Sequence, residues 1–201
     1  SNGTVSAVSG TTSSAATGSP TVFEDSTTTL SAAAFDSNSN KVVVAYLNTY
    51  NKGTAVVGTV SGTSISFGST ANISAAPGYS SSVYDSSANK TLVSYSNSYP
   101  TVVAISVSGT TPSFGTPVVV VSAATQGTSL SYDTTANKSS LVVTHQSSSY
   151  LKAYAITISG TTPSAGSATG LGTFSNGADS LSTAYDPDIN RHIVVFRDRT
   201  S

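Results

Sequence analysis

The chain has no cysteine, no methionine and no tryptophan. Without cysteine there is no disulfide and no thiolate to act as nucleophile or soft metal ligand. Charge is nearly as scarce. Eight Lys and Arg stand against nine Asp and Glu in 201 residues, for a net charge of −1. Nucleic acid is held by clustered Lys and Arg that displace counterions, so this composition excludes a nucleic-acid partner. No apolar run approaches the roughly 20 residues that cross a bilayer as a helix, which argues against membrane insertion. The two histidines, His145 and His192, sit in strand-like segments of different repeats, with no second histidine at ligand spacing. They read as satisfied or surface side chains rather than metal ligands. No serine carries a G-x-S-x-G elbow, and no carboxylate pair recurs in one loop; Glu24 with Asp25, Asp179, and Asp186 with Asp188 are the only local acid clusters. Nothing here supports an enzyme, and no cofactor is implied.

What is present is Ser, Thr, Gly and Ala, with Val as the main large aliphatic. Such a composition suits a disordered chain unless the apolar residues are patterned. Here they are patterned, and mean hydropathy is +0.05. β-branched residues dominate, and no segment keeps the i, i+3, i+4, i+7 spacing of a helix. The sequence therefore predicts one all-β domain, long enough for a sizeable core. The first residue is Ser, not Met, as expected of a processed or trimmed chain.

The phrase aromatic-Asp-x-x-x-Asn-Lys/Arg occurs four times: Phe35-Asp36…Asn40-Lys41, Tyr84-Asp85…Asn89-Lys90, Tyr132-Asp133…Asn137-Lys138 and Tyr185-Asp186…Asn190-Arg191. Its aspartates are 49, 48 and 53 residues apart, and Ser-Gly-Thr keeps step at Ser9, Ser61, Ser108 and Ser159. Strand-like repeats at this period point to propeller blades. The third copy is the clearest. Thr128–Tyr132, Ser140–His145 and Leu151–Ile158 read as strands, separated by a polar turn at 133–138 and a loop at Gln146–Ser149. A breaker-rich turn, Ser159–Pro163, follows. A fourth strand is best seen one repeat earlier, at Pro117–Val121.

The expected fold is thus a β-propeller of four blades, each about 50 residues and four strands. The blades fall at about 28–74, 78–122, 127–171, and 176–201 together with 1–24. The last assignment follows from phase, since the chain starts at a third strand (Thr4–Val8) and stops after a second (His192–Arg197). Pairing the termini in one blade would remove the exposed sheet edges. The alternative is a slice of a longer repetitive protein. First strands rich in small residues, Ala32-Ala33-Ala34 and Ser80-Ser81-Ser82, suit a narrow centre.

Two features invite a ligand. Asp36-Ser37-Asn38-Ser39-Asn40 and Asp186-Pro187-Asp188-Ile189-Asn190 alternate oxygen side chains like the opening of a calcium loop. Against calcium, Lys41 and Arg191 stand where that loop needs Gly, and no acid closes it at Leu47 or Arg197. The other copies carry Ser87 and Thr135 in the middle position. An Asx-type hairpin turn is the preferred reading. The second feature is a tyrosine between strands two and three, at Tyr50, Tyr99 and Tyr150, following Asn48-Thr49, Asn97-Ser98 and Ser148-Ser149. An exposed ring beside Asn48 or Asn97 suits a sugar face and its hydroxyls. The competing view, favoured because repeated residues usually serve the repeat, is that the rings pack between blades. Asn2, Asn72, Asn89 and Asn137 match the N-glycosylation acceptor pattern, at a frequency expected by chance here.

The run Ala55–Gly68, with Tyr132-Asp133…Asn137-Lys138, resembles tandem repeats of tail-fibre-like and surface proteins of phages and bacteria. The resemblance is one of repeat style across the whole chain and transfers no binding residues. It implies an extracellular or virion-surface module that engages cell-surface glycan. The alternative is a structural subunit or bead of a fibre, whose partner is another copy of itself.

Overall fold

The computed structural model describes residues 2–5, 8–11, 14–73, 81–145, 150–173 and 178–199. The expected loop Gln146–Ser149, Ser80 of a first strand, Ser74 of one acceptor pattern and the junction of Ser201 with Ser1 lie outside them.

Every regular element among the described residues is a strand. The N-terminal segment carries β1 (Asn2–Val5), β2 (Val8–Thr11), β3 (Ser14–Thr17) and β4 (Thr21–Thr27). A first sheet follows as the antiparallel meander β5 (Thr29–Asp36), β6 (Lys41–Leu47), β7 (Gly53–Ser61) and β8 (Ser64–Ile73). The second sheet is β9 (Ser81–Asp85), β10 (Lys90–Asn97), β11 (Tyr99–Ser108) and β12 (Thr111–Phe114), with β13 (Val118–Val119) on the same edge of β11. The third is β14 (Thr125–Asp133), β15 (Lys138–His145), β16 (Tyr150–Ser159) and β17 (Thr162–Ala165), with β18 (Thr169–Thr173) also on β16. The chain ends in the pair β19 (Ala178–Asp186) and β20 (Arg191–Asp198). The fold is all-β in several antiparallel sheets.

The fourth strand differs from the expected Pro117–Val121. It starts earlier and in two pieces, β12 then β13. Ser108 pairs with Thr111 and Ser159 with Thr162, so Gly109-Thr110 and Gly160-Thr161 are two-residue turns. The glycines take φ 62° and 61°, as the first central residue of a type II′ hairpin requires. Pairing therefore resumes at once after the turn. It breaks at Gly115-Thr116-Pro117, where proline has no N–H to donate. Ser9-Gly10-Thr11 departs from the other copies: Thr11 pairs with Ser14, which places Ser-Gly-Thr inside β2.

Strand alternation assigns the core. Val43, Ala45, Ala55 and Val57 of the first sheet pack against Val93, Tyr95, Val103 and Ile105 of the second. The opposite face of the second sheet, through Leu92 and Val102, meets Leu141, Val143, Tyr154 and Ile156 of the third. The other face of the first sheet, Val44, Tyr46 and Val56, packs under Phe23 of β4. Both faces of the inner sheets are covered, so β6, β10 and β15 are buried along most of their length and not only at alternate residues.

The first strands β5, β9, β14 and β19 approach one another in that order. Small side chains allow it, and hydroxyls stitch the row. Ser81 Oγ accepts from Leu130 N at 3.0 Å, Ser129 Oγ meets Thr183 Oγ1 at 2.9 Å, and Ser94 Oγ meets Thr128 Oγ1 at 2.9 Å. At the two ends the sheets are halves. β19–β20 pair as first and second strands do, while β1–β4 and β2–β3 pair as third and fourth strands do. The two halves form separate sheets.

Candidate functional site

The repeated Asp-x-x-x-Asn phrase is a turn whose leading carboxylate bonds the turn's own backbone. Asp36 Oδ1 accepts from Asn38 N and Ser39 N, both at 3.0 Å. Asp133 Oδ1 accepts from Thr135 N and Ala136 N at 2.8 and 2.7 Å, and Asp186 Oδ1 from Asp188 N and Ile189 N at 2.9 and 3.3 Å. Asp85 Oδ1 accepts from Ala88 N at 3.0 Å. The closing residues Asn40, Asn89, Asn137 and Asn190 sit at φ 52–54°, a left-handed conformation that Asn tolerates better than other side chains. The preceding tyrosines complete the unit. Tyr84, Tyr132 and Tyr185 donate Oη to the Oδ1 of Asn89, Asn137 and Asn190 at 3.1, 3.3 and 2.8 Å.

The same groups link one repeat to the one before. Tyr132 Oη accepts from Ser87 N at 3.1 Å, and Tyr185 Oη lies 2.7 Å from the Thr135 Oγ1 hydroxyl. Ser139 Oγ donates to Asp85 Oδ2 at 3.2 Å, and His192 Nε2 lies 3.8 Å from Asp133 Oδ2. The backbone amide of Ala136 leads the causes that hold the Asp133 carboxyl below the usual range. In the calcium candidates Asp36, Asn38, Asn40, Asp186, Asp188 and Asn190, the leading carboxylate oxygen is thus engaged by backbone amides. No group of three or more His, Cys, Asp or Glu converges among the described residues.

The Asp turns of neighbouring repeats touch, so the connections between second and third strands lie together at the opposite end of the sheets. There the three tyrosines are exposed: Tyr50 at 81%, Tyr99 at 42% and Tyr150 at 41%. Their loops differ. Asn48 Oδ1 accepts from Tyr50 N and Lys52 N, both at 3.0 Å, so Asn48 shapes its loop and presents only its NH2 outward. Asn97 pairs with Tyr99 across Ser98, whose φ is 71°, and makes no side-chain hydrogen bond among the described residues. Tyr150 carries Lys152 Nζ 5.3 Å from its ring centroid.

Between the first and second sheets, at this same end, lies an open groove of about 490 Å³. Asn72, Tyr95, Asn97, Thr101, Phe114 and Pro117 line it. Only Asn97 among these is a ligand-binding candidate of the sequence; Asn72 stands out there only as part of an acceptor pattern. The others lie on β8, β10, β11, β12 and the β12–β13 break, and no spacing rule joins Asn72 to Tyr95 before the sheets are stacked. His192 is partnered, with Nδ1 2.9 Å from Ser131 Oγ. His145 corrects the expectation of a satisfied or surface side chain. It is buried, its Nε2 has no hydrogen-bond partner among the described residues, and burial first, then Lys152, pushes its pKa down.

Comparison with protein-family models and with curated proteins returns no match.

Proposed function

We propose that this chain is a recognition module exposed outside the cell or on a virion, binding cell-surface carbohydrate with the strand-two-to-three end of its sheets. The observation that carries this reading is the exposure of Tyr50, Tyr99 and Tyr150 at equivalent places on one end. Rings that served packing between sheets would be covered. Exposed aromatic rings beside short polar side chains, on a surface nearly free of charge, are the chemistry of sugar stacking. Several weak sites on one end would act by multivalency.

The fold that goes with it is a four-bladed β-propeller, with β19–β20 and β1–β4 completing one another as the fourth blade. Three features support it: the ordered row of small first strands, the complementary pairing of the two half-sheets, and the repeat phase. A circular permutant joining Ser201 to Ser1 and opened at another loop is expected to fold. Failure of several permutants of a stable monomeric parent would sink the closed form.

A glycan array tests the function. The wild type should bind, and replacing all three tyrosines by Ser should abolish binding without lowering the melting temperature. A triple mutant that unfolds would make the tyrosines packing residues and remove the assignment.

A second reading has its own observation. Ile193 and Val195 of β20 and Phe35 of β5 are exposed at the two ends of the row. If the half-sheets pair between copies, the chain is a self-associating fibre subunit. Light scattering across concentration separates the two, since a closed module stays monomeric.

A further inference from the structure

The groove between the first and second sheets has a feature that its counterpart one repeat earlier lacks. Tyr46 of β6 and Tyr95 of β10 are equivalent residues, ten after Asp36 and Asp85. Each faces the last strand of the preceding repeat. At Tyr46 that strand is β4, and it fills the place. Phe23 packs edge-on against the Tyr46 ring at 5.0 Å, and Tyr46 Oη donates to Glu24 Oε2 at 3.2 Å. At Tyr95 the strand is β8, and Ile73 stands where β4 has Phe23. The Tyr95 side chain is 4% exposed, yet its Oη has no hydrogen-bond partner among the described residues. It is absent from the fully enclosed unpartnered atoms, which are Ser39 Oγ, Ser82 Oγ, Thr91 Oγ1 and His145 Nε2. Its hydroxyl therefore keeps one outlet, and the groove it lines is that outlet. A core hydroxyl with no protein partner and a single outlet is left to hydrogen-bond whatever occupies that outlet.

We infer that this groove is a binding site for a neutral, polyhydroxylated ligand, a sugar unit, held by Tyr95, Asn72 and Asn97; the inference rests on the carbohydrate-recognition reading and locates its primary site. The donor set fits. Thr54 Oγ1 donates to Asn72 Oδ1 at 2.8 Å, which fixes the carboxamide and leaves its NH2 to donate. The Asn97 carboxamide is uncommitted, so it offers both donor and acceptor. Phe114 and Pro117 supply the apolar wall that a sugar's C–H face needs. No Lys, Arg, Asp, Glu or His is among the described residues lining the groove, so nothing there compensates an ionic ligand. Burial also pushes the Tyr95 phenol up to about 12, so the hydroxyl stays a neutral donor across physiological pH. The exposed Tyr99 ring follows Asn97 at the mouth and would extend contact to a second unit.

The experiment screens the wild type on an array of neutral and sialylated glycans, then measures the best neutral binder by calorimetry. Tyr95→Phe keeps the ring in the core and removes only the hydroxyl. It should weaken binding about tenfold, as loss of one well-made hydrogen bond does, with the melting temperature unchanged or raised. Asn72→Leu should weaken it by a similar factor. Preference for sialylated over neutral glycans would overturn the neutral-ligand assignment. Unchanged affinity in both variants, with binding lost in the tyrosine triple mutant, would overturn the groove and leave the recognition reading standing. A wild type that binds no glycan would overturn both.

Discussion

Two glycines at equivalent places give the packing of the sheets a direct test. Gly68 and Gly115 follow the first part of the fourth strand in the first and second sheets, and each lies against the Ser-Gly-Thr turn of the next repeat. A Cβ at Gly115 would sit inside van der Waals contact of Thr161 O and 2.8 Å from Thr161 Cβ. One at Gly68 would meet Thr110 O and, at 2.6 Å, Thr110 Oγ1. The opposing atom is a backbone carbonyl in a two-residue turn, which cannot rotate away as a side chain would. Gly166 is the same position in the third sheet, but there the nearest atom is Ala155 O at 3.5 Å, ordinary contact. Neither Gly115 nor Gly166 has a positive φ, so alanine meets no backbone strain at either. Gly115→Ala should therefore cost about 2–3 kcal/mol by overpacking. At this chain length that lowers the melting temperature by about 4–12 °C. Gly166→Ala should be neutral or stabilise by about 0.4–1 kcal/mol through the unfolded chain. Urea unfolding of the two variants beside the wild type reads both. If they differ by less than about 0.5 kcal/mol, the second and third sheets do not meet at Thr161 and the stacking argument is wrong.

The turn module predicts that Asn137→Ala costs about 1 kcal/mol, for a non-Gly residue held at φ 53° and for the lost Tyr132 bond, while Asn137→Gly recovers most of it; urea midpoints decide, and equal losses would show that backbone conformation is irrelevant there. Since the leading turn carboxylates are engaged by backbone amides, EDTA should leave the melting temperature unchanged, and a drop restored by Ca²⁺ would reverse the preference for plain turns. His145 is held neutral by burial, with its folded pKa depressed below the usual 6.5. Its contribution is therefore complete above about pH 6.5 and is lost as pH falls below that, because the unfolded chain takes the proton first. The urea midpoint should decline from pH 7 to pH 5 in the wild type and stay flatter in His145→Gln. Glu24, Asp133 and Asp179, all with lowered pKa, act only at more acidic pH and leave this window clear.

Most strands and turns follow from the local order of amino acids. Alternation in Thr-Ser-Leu-Ser-Tyr, the short apolar run in Ser-Leu-Val-Val-Thr-His, the Asp and Asn that cap and close each hairpin, and the glycine of Ser-Gly-Thr are local devices whose physics acts within a few residues. That is why β14, β15 and β16 lie where periodicity places them, within a few residues at their ends. The split of the fourth strand is not legible locally, since Gly115-Thr116-Pro117 has the composition of a strand start and the two-residue turn before it sets where pairing resumes. Tertiary structure decided which face of each strand meets which sheet, and hence everything about the groove. Tyr46 and Tyr95 are indistinguishable in the repeat, and only the stacked neighbour gives one a carboxylate and leaves the other open. His145 likewise looks like any strand histidine until the fold buries it. The tyrosines at the loop ends stood between the two levels: the repeat placed them, and packing, by leaving Tyr50, Tyr99 and Tyr150 uncovered, decided that they face solvent.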